Sequence, residues 1–272
     1  MSVPDTGGRA ATGRAGTASL DVAPPPGART RGTVLIVAGR GESPGTYRRL
    51  GTRLAADAYR VRVLPAPTLD DTDLRGSLDR FGAQLSAAVA ALDGPEGLVR
   101  PLVLLGVDTG AAALAALAAT FPPGARWWPD ALVLAGLPGH GTRVTGGWDV
   151  ELDARTHCPV HRGALAEDPA VRPGALADAL PDALLDAAYG STAELPQLLL
   201  VGDADPLADR AALARLAKGL PAARLAVVRG AHRDVLNDLQ HRTVAAEIVS
   251  FLEALRAGLP LVPTITVEAS SW

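Results

Sequence analysis

Pro101-Leu-Val-Leu-Leu-Gly106-Val-Asp108-Thr-Gly110, continuing as Ala-Ala-Ala-Leu-Ala-Ala-Leu-Ala-Ala-Thr120, is the stretch whose reading decides the fold. Leu102 to Leu105 is an apolar run of strand length, and after Gly110 the leucines at 114 and 117 sit among alanines, the best helix formers. Glycines on either side of Val107-Asp108-Thr109 remove side-chain bulk where a strand must fold directly into a helix. The expectation is a buried strand, a sharp turn with Asp108 at its tip, and a helix beginning at Thr109. Asp tolerates positive φ much better than a β-branched residue does, so Thr109 is the poorer candidate for the tip.

This Gly-x-Asp-x-Gly spacing has the form of a nucleophile elbow with Asp where Ser is usual. A second role is open for the same side chain. A carboxylate at a helix N-terminus satisfies free N–H groups and the helix dipole, so Asp108 could be a cap instead of a catalyst.

Working outward, the 272 residues suit one α/β domain, with or without an inserted lid. The formal net charge of -3 provides no broad positive surface, which argues against nucleic acid or anionic lipid and for a small-molecule substrate. Cys158 is the one cysteine, so no internal disulfide can form. Residues 1–31 are rich in Gly, Pro, Ala, Thr and Arg without an apolar signal core, and read as a disordered tail; residues 258–272 read as a second tail. Asp108 interrupts the longest apolar candidate, so no membrane span is expected, and the chain reads as soluble and cytoplasmic. The oligomeric state is open.

Between the tails, from residue 32 to 257, strands and helices alternate. Thr33–Ala38 is a continuous apolar run of the kind covered on both faces. Tyr47, Leu50 and Leu54 follow at helical spacing, and Tyr59–Val63 alternates as a strand with one polar face, which places it nearer a sheet edge. Leu74, Leu78, Phe81, Leu85 and Val89 form a helical stripe. After the elbow come the strands Ala131–Ala135, Gln197–Val201 and Arg224–Val228, with helices near Arg210–Leu220 and His241–Leu255. Trp127 and Trp128 read as packing residues. The pattern specifies a doubly wound, mostly parallel sheet. Residues 137–196 lack regular periodicity beyond short helical pieces such as Ala175–Leu185, and a connection of this length reads as a lid.

Polar residues close successive strand ends: Gly39-Arg40-Gly41, then Asp108, then Gly202-Asp-Ala-Asp205-Pro206, then Gly230-Ala-His232. In this order the chain resembles the α/β-hydrolase fold, in which nucleophile, acid and histidine follow one another. Gly39-Arg-Gly-Glu-Ser-Pro-Gly-Thr-Tyr47 and His232-Arg-Asp-Val-Leu-Asn-Asp238 are similar to segments of its monoacylglycerol-lipase and serine-aminopeptidase branch. The resemblance implies a triad of Asp108, His232 and Asp205, with the backbone N–H groups of Arg40 and Thr109 as oxyanion donors. His232 would then lie between two carboxylates, which favours its protonated form.

The chain departs from relatives that use an Asp nucleophile. Haloalkane dehalogenases usually carry Trp where Thr109 stands, and epoxide hydrolases use paired lid tyrosines where this lid offers Tyr189. Ala38 replaces the histidine that many relatives have before the oxyanion glycine. In the lid, Arg155-Thr-His157-Cys158-Pro-Val-His161-Arg162 gathers reactive side chains, but two histidines and a cysteine fall short of four zinc ligands, so neither metal nor cofactor is expected. His140, Cys158, His161 and Arg162 are candidates to line a pocket above Asp108. The functional expectation is a hydrolytic enzyme acting on a small organic substrate. A lyase, cyclase or isomerase using Asp108 for proton transfer, and a non-catalytic small-molecule binder, are the alternatives.

Overall fold

A computed structural model describes residues 19–92, 97–263 and 265. Seven strands form one sheet: β1 (Leu20–Val22), β2 (Gly32–Val37), β3 (Tyr59–Leu64), β4 (Leu102–Val107), β5 (Ala131–Ala135), β6 (Gln197–Gly202) and β7 (Ala223–Val228). Their spatial order is β1-β3-β2-β4-β5-β6-β7. Every neighbouring pair is parallel except β1 with β3, so the doubly wound sheet expected from the pattern is present.

The pleat divides the core into two layers. In β2, Leu35 and Val37 face a cluster built with α2 (Leu74–Ala90), α3 (Thr109–Thr120), α6 (Asp182–Tyr189) and α7 (Arg210–Gly219). Val34 and Ile36 face the opposite cluster, with α1 (Arg48–Ala56) and α8 (His241–Arg256). β2 and β4 are buried along their whole length, which explains why they read as apolar runs without alternation. α2 and α7 start at Asp73 and Asp209, whose carboxylates accept the N–H groups of Gly76 and Ala212, both at 2.8 Å.

Two expectations need correction. The stretch read as a tail up to Arg31 contains β1, which pairs antiparallel with β3 through Leu20↔Val63 and Val22↔Val61. Three residues are too few to show a period, yet they cover the polar flank that made β3 look like an edge, and Arg62 there pairs with Asp21. Residues 1–18, most of the predicted tail, lie outside the described residues, as do 264 and 266–272 of the second. The segment between β5 and β6 is also more regular than expected. It holds α4 (Trp148–Arg155), α5 (Pro159–Glu167), a short 3-10 turn at Ala175–Ala177, and α6. Leu184, Leu185 and Ala188 of α6 belong to the main core, whereas Leu152, Leu165 and Val171 form a small separate cluster with α4 and α5. The part standing over the strand ends is therefore α4 and α5. Among the described residues no helix is long and apolar enough to cross a membrane.

Candidate functional site at the elbow

β4 delivers the chain to Asp108, whose φ of 50° and ψ of −114° make it the positive-φ tip expected from the sequence, and α3 begins at Thr109. The flanking glycines are required by contact. A Cβ on Gly106 would lie 2.5 Å from the Gly110 carbonyl carbon, and one on Gly110 would lie 2.6 Å from the Val37 oxygen. The turn therefore has the elbow's strand-to-helix geometry.

The environment of the tip is not that of a free nucleophile. Asp108 is 4% exposed, and both carboxylate oxygens are engaged. Oδ2 accepts the Arg40 backbone N–H at 2.9 Å, Arg40 Nε at 2.8 Å and the Thr109 hydroxyl at 3.2 Å. Oδ1 accepts Arg40 Nη2 at 2.9 Å and Arg233 Nη2. Arg233 Nη1 reaches Asp205 Oδ2 at 3.0 Å, so one guanidinium bridges the two carboxylates. Asp205 is fixed further by the Leu207 N–H on Oδ1 at 2.9 Å. Two carboxylates and two guanidiniums make a neutral, buried set. Burial alone would raise the Asp108 pKa, but Arg233 and then Arg40 outweigh it and hold the carboxyl well below its ordinary value.

The expected triad has its histidine between these two carboxylates, and the structure puts another residue there. Arg233, 1% exposed, occupies the place between Asp108 and Asp205 that was assigned to His232. His232 turns away: its Nδ1 pairs with Asp238 Oδ2 at 2.9 Å, its backbone N–H donates to the same oxygen at 2.7 Å, and its ring lies 3.7 Å from that of His157. Asp238 also accepts the Thr156 hydroxyl and the His157 N–H, so it anchors this turn to the start of α5. The oxyanion assignment changes too. The Arg40 N–H does point at the elbow, but it is already donating to the Asp108 carboxylate, and Thr109 contributes its hydroxyl to that same oxygen.

Beside the elbow lies a second buried cluster that the sequence reading did not identify. Arg155 on α4 donates to Glu151 Oε1 from Nε at 3.0 Å and to the Arg40 carbonyl at 2.7 Å, and it stands 3.4 Å from Glu42 and 3.5 Å from Asp234. Glu42 accepts the Gly39 N–H and the Tyr47 hydroxyl. Burial, and then the Asp234 charge, push Glu42 up to about 7. These contacts tie α4 to the loop after β2.

The four predicted pocket residues disperse. His161 is buried with Nε2 on Asp234 Oδ2 at 2.9 Å, and it lines a cavity between α1 and α5 that none of the elbow-cluster residues lines. Arg162 pairs with Asp153 near the surface. His140 pairs with the exposed Asp186. Cys158 is buried 3.9 Å from Arg49 Nη1. His140 sits in a turn, and Cys158, His161 and Arg162 lie at the start of α5, a helix too short for its periodicity to announce which way each would face. Among the described residues no group of His, Cys, Asp and Glu is placed to hold a metal.

No family model matches the chain, and no curated protein matches it. Solved structures do. A monoacylglycerol lipase from Paleococcus ferrophilus aligns over 88% of this chain and 99% of its own, with a TM-score of 0.68 and 18% identity. The chain has the α/β-hydrolase fold. A soluble variant of the monoglyceride lipase from Saccharomyces cerevisiae, in complex with a substrate analogue, aligns over 88% and 92% with a TM-score of 0.66 and 14% identity. A thermostable carboxyl esterase from Bacillus coagulans, in complex with glycerol, aligns over 88% and 94% with a TM-score of 0.61 and 14% identity. The shared fold extends over 88% of the chain.

Proposed function

We propose that this chain is a small-molecule-binding protein of the α/β-hydrolase fold whose elbow serves stability instead of nucleophilic hydrolysis. The observation that carries this reading is Arg233 bridging Asp108 and Asp205. A triad needs a group at that position that can take a proton and give it back, and arginine stays charged throughout. The carboxylate itself occupies the oxyanion donor of Arg40, so a substrate carbonyl would have to displace it. The test is a turnover screen across esters, epoxides and haloalkanes with the parent, Asp108→Asn and Arg233→Met. The expected result is no turnover that depends on either residue. Turnover abolished by Asp108→Asn in a protein that remains folded would overturn the reading.

A second reading keeps hydrolysis, the activity named for the lipases and esterases of like fold, and moves it off the elbow. It is favoured by His161, a cavity-lining histidine whose Nε2 is held by the buried Asp234, the orienting arrangement a general base requires. Under that reading His161→Gln removes hydrolysis and Asp108→Asn does so only by unfolding the protein.

A further inference from the structure

α1 and α5 enclose a cavity of about 840 Å³ that no part of the elbow cluster lines. That volume falls within the roughly 300–1,000 Å³ typical of small-ligand sites. Its two walls differ in chemistry. α1 contributes Arg48, Arg49 and Arg53, and α5 contributes Val160, Ala164 and Leu165, with Val160 71% exposed at the rim. Arg49 is engaged with the Asn237 carbonyl, whereas Arg48 and Arg53 form no ion pair among the described residues. Asp168 is the carboxylate in the lining, and its oxygens already accept the Ser43 hydroxyl and the Ala170 N–H. Three guanidiniums thus meet one occupied carboxylate. The field is felt nearby, where burial and then Arg49 and Arg53 hold the His241 imidazole below its ordinary value.

We propose that this cavity binds an organic anion, a carboxylate or phosphate monoester on an apolar body, with the head group against Arg48 and Arg53 and the body along Val160, Ala164 and Leu165. Guanidiniums without a carboxylate partner favour an anionic oxygen, which accepts charge-assisted hydrogen bonds from their planar forks. The apolar helix face opposite them requires more than an inorganic ion. This deepens the binding reading above, without depending on the elbow being inert.

The test is titration calorimetry of the full chain at pH 7 with octanoate, octyl phosphate, octyl glucoside, octylammonium and inorganic phosphate. Octanoate or octyl phosphate should bind at least about tenfold more tightly than the neutral, cationic and inorganic probes, and preference between the two identifies the head group. Replacing Arg48 and Arg53 together by Gln should weaken the anion at least about tenfold, the loss expected when one charge-assisted hydrogen bond is removed. Ala164→Trp, at an exposed helix position, should weaken binding at least about tenfold by obstructing the apolar wall while the melting temperature stays close to that of the parent. Equal binding of octyl glucoside, no binding of either anion, or affinities unchanged in both variants would overturn the proposal. None of these variants touches the elbow cluster. Failure of binding therefore leaves the elbow reading standing, and hydrolysis lost in an Asp108→Asn protein that remains folded would overturn the elbow reading alone.

Discussion

Asp108→Asn separates a structural elbow from a catalytic one, because the two roles give opposite expectations for stability. In the parent, Oδ1 accepts two guanidinium N–H groups and Oδ2 accepts a guanidinium N–H, a backbone N–H and a hydroxyl. An asparagine oxygen placed at Oδ2 turns its NH2 toward Arg40 Nη2 and Arg233 Nη2, so two charge-assisted bonds are lost and donors face donors. At about 1.5–3 kcal/mol each this is roughly 3–6 kcal/mol, in line with the roughly 3–5 kcal/mol of breaking one partner of a buried ion pair. For a domain of this size that is a fall in melting temperature of roughly 6–24 °C. Thermal and urea unfolding at pH 7 measure it. A double-mutant cycle adds a sign test: Asp108→Asn leaves the cluster at +1, Arg233→Met leaves it at −1, and the pair returns it to neutral, so the double variant should lose less than the sum of the single losses. The folded pKa of Asp108 lies below its ordinary 3.8, so its contribution is present above that pH and is lost as pH falls through the folded value. The gap between parent and Asp108→Asn should therefore close in acid. An Asp108→Asn protein within about 1 kcal/mol of the parent at pH 7, or additive losses in the cycle, would refute the argument.

Three other outcomes can be checked. Asp108→Ser with Arg233→His should rebuild a Ser-His-Asp205 arrangement and create hydrolysis of p-nitrophenyl acetate that a further Asp205→Asn removes; equal hydrolysis by the parent would count against an inert elbow. Glu42, raised to about 7, favours the folded state fully below its ordinary 4.5 and loses that contribution as pH rises through about 7, so Glu42→Gln should flatten the fall in stability across that window, as read by unfolding from pH 4 to 8. Arg162→Ala removes a pair whose Asp153 carboxylate is 66% exposed, and unfolding should change by less than about 1 kcal/mol.

Much of this fold was legible because it rests on long regular signals. The apolar run of β4, the two glycines and the alanine helix leave little choice but a strand, a sharp turn and a helix, and the positive φ of Asp108 follows from which residue tolerates it. The strand ends then place Asp205 and the loop after β7 near that turn by topology alone. What the sequence could not decide is which neighbour in an irregular loop points inward. His232 and Arg233 are adjacent, no period distinguishes them, and expectation favoured the residue type of a triad. One signal was available: a carboxylate at a buried elbow facing a second carboxylate demands cations, and Arg40 was itself singled out while Arg233 adjoins His232. α4 and α5 were missed because eight and nine residues carry too few turns to show a stripe, and Asp238 because its partners are backbone and hydroxyl groups scattered through the chain.

The Asp at the elbow and the Arg opposite it are physically one substitution. A serine in that position needs no counter-charge, and a histidine beside it can be neutral. A buried carboxylate there has to be compensated on both oxygens, and a guanidinium fork with two parallel donors spans Asp108 and Asp205 as an imidazole with one donor per nitrogen cannot. The compensation then works against chemistry at the same atom. For Asp108 Oδ1 to attack an electrophile, the bonds from Arg40 Nη2 and Arg233 Nη2 must be given up, which costs roughly 3–6 kcal/mol before any bond forms. At 1.36 kcal/mol per tenfold, that is a handicap of roughly 10²–10⁴ in rate, borne by a carboxylate already made a weaker nucleophile by its lowered pKa. On the proposed reading, the arrangement that makes an aspartate tolerable at this turn is therefore also what works against its use as a nucleophile.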